Sequence, residues 1–248
     1  MKRALIAALA VAMTSTMEVK AQSELPEWTF DAKAGFNIGG TSPLPIPAEI
    51  REIRSFNPGM QLTFGLNATR WLTDRWGVGA GLKFENKGME TEARVKNYYM
   101  EVVDGDAKIS GNWTGLDYTN CQQQFFTVPI VSRWRLGKRV DLNAGIQLGV
   151  QIKGEFSGYV SEGYLRENDP TGNKIIFSGD ATATYSFGDH LNKFMFGLQA
   201  GGNVKLWRNV GLFGDLSWGL RDAFEKDFKT VAFAMYPIYF NIGLSYSM

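Results

Sequence analysis

The chain has little of what most functional classes require. Its 248 residues include one cysteine, Cys121, and one histidine, His190. A single thiol excludes an intramolecular disulfide, and one thiol with one imidazole gives no cluster spaced to hold a transition metal. An excess of charge is missing too. The 26 Lys and Arg stand against 25 Asp and Glu, so there is no basic footprint for a nucleic acid. No apolar run reaches the roughly 20 residues that a membrane-spanning helix needs, and no Gly-rich phosphate loop appears. Mean hydropathy is −0.17, which on its own suggests solubility. Aromatic residues make up 13% of the chain, which argues against disorder.

What is present begins with an export pattern. Lys2 and Arg3 precede an apolar run from Ala4 to Met13, and a polar stretch ends in Val19-Lys20-Ala21. This three-part order is that of a secretory signal peptide over residues 1–21, cleaved after Ala21. Without Lys2, Arg3, Lys20 and Glu18, 23 basic and 24 acidic residues remain. No cysteine lies at the cleavage point to make a lipoprotein.

Beyond this segment the period is two. Trp28, Phe30, Ala32, Ala34, Phe36 and Ile38 alternate with Thr29, Asp31, Lys33, Gly35, Asn37 and Gly39. The same alternation runs over Met60–Thr69, Trp76–Glu85, Phe126–Arg135, Val140–Lys153, Phe194–Leu206, Val210–Leu220 and Tyr236–Met248. Strict alternation marks strands with one apolar face, and eight strands are expected.

The apolar face is assigned to the outside. The segments run longer than ordinary strands of five or six residues and match what a tilted strand needs to cross a bilayer. The polar face is rich in Gly and amides, as a narrow barrel interior requires. Connections alternate: Thr73-Asp74-Arg75, Gly137-Lys138-Arg139 and Arg208-Asn209 are tight, whereas residues 40–56, 87–124, 154–192 and 221–229 form longer loops. Short periplasmic turns opposite long extracellular loops are the signature of an outer-membrane barrel. Trp28, Trp71, Trp76, Trp134 and Trp207 gather at the tight-turn end, as interfacial indoles do, while Phe36, Phe84, Phe126, Trp218 and Tyr236 would form the opposite girdle. The expected fold is an all-β, antiparallel, up-and-down transmembrane β-barrel occupying residues 22–248. A ten-stranded variant would draw the loop hairpin into the membrane, but residues 104–124 are polar on both parities. Pro129 and Pro237 each remove a ladder donor, on the inward face.

Eight strands leave an interior filled by side chains. The inward set comprises Asp31, Lys33, Lys83, Glu85, Arg133, Arg135, Asp141, Lys153, Lys193, Lys205, Asp215 and Arg221. Buried charges must be paired or hydrated, so salt-bridge layers should plug the lumen; a narrow anion-preferring pore is the alternative.

The order Ala34-Gly35-Phe36-Asn37, Asn57-Pro58-Gly59-Met60, Lys83-Phe84-Glu85-Asn86-Lys87-Gly88, Phe126-Thr127-Val128-Pro129-Ile130, Phe196-Gly197-Leu198-Gln199-Ala200-Gly201-Gly202 and Asn241-Ile242-Gly243-Leu244-Ser245-Tyr246 resembles the PorT-like outer membrane protein β-barrel family. The resemblance covers nearly the whole exported chain. It implies an OmpA/OmpX-like eight-stranded barrel in the outer membrane of a Gram-negative cell, usually without enzymatic activity, and an accessory role in protein secretion. Such chains usually end in an aromatic residue, whereas this one ends in Met248; Tyr246 supplies the outward aromatic two positions earlier, so insertion by the barrel assembly machinery is expected.

No catalytic, cofactor-binding or metal-binding residue is assigned. Ser186 and His190, near Gly188-Asp189, stand on the side where an outer-leaflet lipid hydrolase would need them, but no third group completes a triad. Cys121 is expected to be a packed or solvent-exposed thiol. The second loop carries alternating apolars around Asp104-Gly105 and reads as a β-hairpin rising above the membrane. Ile175-Ile176-Phe177 and Ala181–Tyr185 in the third loop read as strand extensions. Trp113, Tyr98, Tyr99, Tyr159 and Tyr164 would offer exposed aromatics for contact with a partner. The expected partners are outer-membrane lipids, the assembly machinery and an extracellular or secretion-system protein, with no nucleic acid. The expected role is structural or ligand-binding through the extracellular loops.

Overall fold

The computed structural model describes residues 28–104, 107–228 and 230–248. The expected signal peptide, residues 1–21, lies outside the described residues. Eleven strands follow one another: β1 (Trp28–Pro43), β2 (Ile50–Asn57), β3 (Gln61–Trp71), β4 (Trp76–Asp104), β5 (Ala107–Arg135), β6 (Val140–Glu167), β7 (Lys174–Phe177), β8 (Ala183–Ser186), β9 (Phe194–Trp207), β10 (Val210–Gly219) and β11 (Met235–Ser247). One 3₁₀ turn, Gly188–His190, precedes β9.

Eight of these strands close a ring. β1 pairs with β3, β3 with β4, β4 with β5, β5 with β6, β6 with β9, β9 with β10, β10 with β11, and β11 returns to β1, every pair antiparallel. The three additional strands come from stretches expected as loops. β2 lies against upper β4, with Ile53 opposite Ala93, while β7 and β8 lie against upper β6. The stretches 87–124 and 154–192 are thus mostly strand. β4 and β5 have 29 residues each, about 95 Å of chain at the usual rise per residue, so more than half of this hairpin rises beyond the membrane.

Burial settles which face is outside. Even-numbered Phe64, Leu66, Leu82, Phe126, Leu148 and Leu244 are exposed, Leu66 at 65%, whereas odd-numbered Asn37, Thr69, Glu85, Thr127, Gln147 and Asp215 are buried, Gln147 at 0%. A soluble sandwich would bury the first set and expose the second. A closed ring satisfies its own backbone polar groups, which is what allows β structure to face lipid. Inward glycines keep the ring narrow: a Cβ on Gly35 would lie 2.3 Å from the Ile242 carbonyl oxygen, and one on Gly243 would lie 2.1 Å from that of Ala34. Pro129 leaves its mark where the β4–β5 ladder skips from Ala80↔Ile130 to Lys83↔Thr127.

Above the hydrocarbon core of the membrane the pattern inverts. Upper β4, β5 and β6, with β2, β7, β8 and residues 220–228 and 230–234, enclose an apolar core that includes Val95, Met100, Val102, Trp113, Val160 and Leu165. Three irregularities rotate the strands into this arrangement. A register shift between Val95 and Tyr98 places Asn97 at φ 56°, a second leaves Ile152 unpaired opposite Gln124 and Phe125, and Glu162 takes φ 48°. An extra residue in one strand exchanges its inward and outward faces. Hence Phe156 and Val160 point inward although they carry even numbers.

Candidate functional site

The barrel interior is filled from the periplasmic end upward. Trp71, expected in the indole girdle, instead points inward at 7% exposure and donates its Nε1–H to Thr29 Oγ1 at 2.9 Å; its odd number places it on the lumenal face. The Arg135 guanidinium lies 3.8 Å from the Trp71 ring centroid. Arg133 pairs with Asp31 and, at 3.3 Å, with Asp141, which also pairs with Arg135 at 3.7 Å. Next comes Lys33, 2.8 Å from Asp215, whose other oxygen accepts from Asn143 at 2.9 Å. Higher still, Glu85 lies between Lys83 at 2.8 Å and Lys87 at 3.3 Å, and accepts from Thr127 Oγ1 at 2.8 Å. Between the first two layers the remaining cavity, bounded by Asn67, Asn143 and Gln199, is only about 20 Å³, room for about one water molecule. The expected layers are therefore present.

Three members of the predicted inward set are not lumenal: Lys153, Lys193 and Arg221 are exposed. The unpaired Ile152 shifts the face of Lys153, and the other two lie just outside β9 and β10. Lys205 lines the periplasmic mouth of the lumen with Arg135, Asp141 and Asn203. Lys87, by contrast, is buried at the centre of the top layer, although it falls within the stretch 87–124 expected as a loop. Its odd number, continuing from Lys83 and Glu85, was the available signal.

Lys87 marks the transition. Its ammonium lies 5.2 Å from the Phe125 ring centroid and 5.5 Å from that of Tyr239, so a cation–π layer separates the ionic lumen from apolar space above. That space is a cavity of about 370 Å³ between upper β1, β2, β4, β5 and β8. Its inner wall is formed by buried Val95, Met100, Phe156, Phe187 and Met235; Ile46, Ile53 and Phe56 also line it but are exposed, so they form its mouth.

One polar cluster faces this cavity. The Tyr185 hydroxyl lies 2.9 Å from Asp117 Oδ1, 2.7 Å from Thr119 Oγ1 and 3.1 Å from the Tyr118 carbonyl oxygen. Burial pushes the Asp117 carboxyl up to about 6, opposed by the hydrogen bond from Tyr185. Burial raises the Tyr185 phenol as well, reinforced by the Asp117 charge. An apolar chamber with a few convergent polar groups is the usual form of a small-molecule site. Asp117 and Thr119 were not singled out in the sequence, where they read as ordinary loop polar residues.

The other singled-out residues fall elsewhere. His190 is exposed and stacks on Phe228, with ring centroids 4.5 Å apart. Ser186 is exposed on β8, and among the described residues no hydrogen bond joins it to His190. Cys121 is packed and fully buried, and burial pushes its thiol up to about 12. Trp113 is not an exposed contact residue: it is fully buried in the upper core, with Nε1 donating to the Leu116 carbonyl oxygen at 3.1 Å. Tyr98 is half-buried against Phe233, whereas Tyr99 and Tyr159 are exposed. Among the described residues no group of His, Cys, Asp or Glu is placed to hold a metal.

A family model described as outer membrane protein beta-barrel domain matches residues 20–225. No curated protein matches the chain. Among solved structures, the attachment invasion locus protein Ail of Yersinia pestis is similar at 11% identity and TM-score 0.39, covering 90% of this chain and 100% of Ail; one of its structures holds the heparin analogue sucrose octasulfate. Neisserial surface protein A is similar at 8% identity and TM-score 0.32, covering 89% of this chain and 97% of that one.

Proposed function

The chain belongs to the outer membrane protein β-barrel domain family, and from that premise we propose that it is a non-conducting, non-enzymatic barrel that binds a small apolar molecule in its extracellular half. The observation that carries this reading is the apolar cavity of about 370 Å³ lying directly above a lumen filled by ion pairs. The volume falls within the range of small-molecule sites. Burying an apolar ligand there removes its surface from water, the main source of affinity available to a chamber with so few polar groups. Asp117, Thr119 and Tyr185 supply one hydrogen-bonding end, which favours a ligand carrying a single hydroxyl.

The test uses 9-anthracenemethanol as the probe, with energy transfer from tryptophan as the readout, on the full exported chain in detergent. Saturable binding is expected, with 9-methylanthracene about tenfold weaker, the worth of one hydrogen bond. Ala93→Trp, which fills the cavity from β4, should abolish binding. Binding that survives Ala93→Trp would overturn the reading. Planar-bilayer recording should show no steady conductance, and replacing His190 should leave lipid A unmodified as before.

The PorT-like motifs support a narrower second reading, an accessory of a secretion system. The projecting β4–β5 hairpin, with exposed Tyr99 near its tip, supplies a surface for it. Pull-down from intact outer membranes tests this reading: a secretion component retained by the wild type and lost from Tyr99→Ala would favour it.

A further inference from the structure

The ring of hydrogen bonds is not complete at every height. β1 pairs with β3 only as far as Asn37↔Gln61, yet β1 continues to Pro43 along β11. β2 stands where the continuation of β3 would be, but its ladder runs to β4. No ladder joins upper β1 to β2, which leaves a seam between Gly39–Pro43 and β2. Just below it the wall is fastened by Asn37, whose Nδ2 donates to the Asn86 carbonyl oxygen at 2.8 Å.

The seam coincides with the mouth of the cavity. Gly39, Gly40, Thr41 and Ser42 on one side, and Ile53 and Phe56 on the other, line the chamber. Gly40 matters here because it has no side chain. A Cβ at that position would meet the Phe56 ring at 3.1 Å and Met89 Sδ at 2.8 Å, so the Phe56 ring occupies the gap that Gly40 leaves. Phe56 is nonetheless 52% exposed. It stands as a plug, with one face on the seam and the other outside.

Exposed apolar side chains lead up to this seam, and they identify where a ligand would come from. On the β4–β6 side the lipid-facing surface ends at Phe84, Phe126 and Ile152, followed by Asn86, Gln124 and Lys153. On the β2 side it continues upward: Leu62, Met60, Phe56, Ile53 and Ile46 are all exposed. Such side chains find their favourable environment at the boundary of headgroups and acyl chains. The line of Leu62, Met60, Phe56, Ile53 and Ile46 therefore leads to the inner wall of the cavity past the charged face of β2, where Arg54 pairs with Glu52 and Glu92, whereas the way up from the periplasm is closed by Lys87, Glu85 and the layers beneath them.

We infer that the β1–β2 seam is a lateral portal through which a membrane-dissolved apolar alcohol or phenol passes from the outer leaflet into the cavity, with Phe56 as its gate. This inference rests on the ligand-binding reading above and adds the route and the source. The hydroxyl is placed by the site: Asp117, Thr119 and Tyr185 lie on the β5 and β8 wall, across the chamber from the seam, so the polar end enters first and the apolar body fills the space behind it.

The test measures the rate at which the full exported chain, reconstituted in phosphatidylcholine vesicles preloaded with 9-anthracenemethanol, acquires tryptophan-to-anthracene energy transfer. In a Cys121→Ala background, Gly40→Cys with Phe56→Cys is bridged by a short, reducible bis-thiosulfonate. Bridging should slow loading by about tenfold or more, as gating steps do, and reduction should restore the rate. Because Gly40→Cys is crowded by Met89, a second pair of variants repeats the test at an exposed position. Phe56→Ala should load faster than wild type and Phe56→Trp slower. Equal loading rates in all forms, with the wild type still loading, would overturn the portal and leave the cavity reading standing. No binding by the wild type in vesicles or detergent would overturn the cavity reading itself.

Discussion

The lower and upper halves of this molecule use the same strands for opposite ends. Within the membrane, β4, β5 and β6 bury Glu85, Thr127, Arg133 and Gln147 and expose Leu82, Phe126 and Leu148. Higher on the same strands they bury Met100, Trp113 and Val160. The difference is one of solvent. In lipid, an apolar side chain gains little by leaving the surface, so the interior is held by ion pairs and hydrogen bonds, each polar group needing a partner. Above the membrane, water restores the hydrophobic effect, and the interior becomes an ordinary apolar core. The cavity lies where the two regimes meet, and this explains how an apolar chamber can sit directly on a polar plug.

The largest effect should come from breaking the plug. Glu85→Ala leaves Lys83 and Lys87 as neighbouring buried cations, and removing one partner of a buried pair costs about 3–5 kcal/mol. Loss of the heat-modifiable band shift in gel electrophoresis, or a lowered urea midpoint in vesicles, checks it. The comparison itself is sharpened by changing one residue type in both halves. Leu165→Ala, in the fully buried upper core, should cost about 2–5 kcal/mol, read as new protease cleavage confined to residues above the membrane. Leu148→Ala, exposed to lipid, should change barrel stability by much less. Equal losses at the two positions would break the contrast. Leu148→Arg reverses that tolerance and should block insertion, costing about 2–4 kcal/mol near the midplane, while Gln147→Arg on the lumenal face should be milder in the same vesicle-folding assay.

How much of this was legible follows from the same contrast. The lower half was readable because alternation in the wall strands is strict. Asp31, Lys33, Lys83, Glu85, Arg133, Arg135, Asp141 and Asp215 all fall inside, as their odd numbers require. The upper half was not, for physical reasons. Asn97, Ile152 and Glu162 sit at the irregularities that shift the parity, and none is a Gly or Pro that would announce a bulge. Asn is the mildest of them, since it tolerates the left-handed region better than most residues. Once the parity shifts, Phe156 and Val160 cannot be placed from their numbers, and Lys153 is misplaced by one residue. β2 was hidden by a different cause: a bulge at Arg54 offsets its alternation, so that Ile53 and Phe56 share the cavity face with Ala93 and Thr91 although one is odd and the other even. Asp117 and Thr119 became a site only when β8, 66 residues from Thr119, brought Tyr185 against them.

One further expected effect reports on the upper half alone. Burial lifts the Asp117 carboxyl to about 6, above its ordinary value of about 3.9. The folded state therefore holds this proton more tightly than the unfolded chain, and stability must fall as pH rises across that interval. The upper core should be most stable below about pH 4 and lose that increment progressively until about pH 6, after which the dependence flattens. The carboxylates of the plug are held in ion pairs with Lys and Arg, so exchange there should not follow this profile. Amide hydrogen exchange along β5 and β8 at several pH values, compared with exchange at lower β5, measures the two halves in one experiment. Asp117→Asn, which keeps a hydrogen-bonding side chain without the ionisation, should remove the dependence from the upper strands. If lower β5 shows the same pH dependence and loses it in Asp117→Asn, the two halves are a single cooperative unit. The division of the molecule into a plug and a core would then describe its chemistry but not its stability.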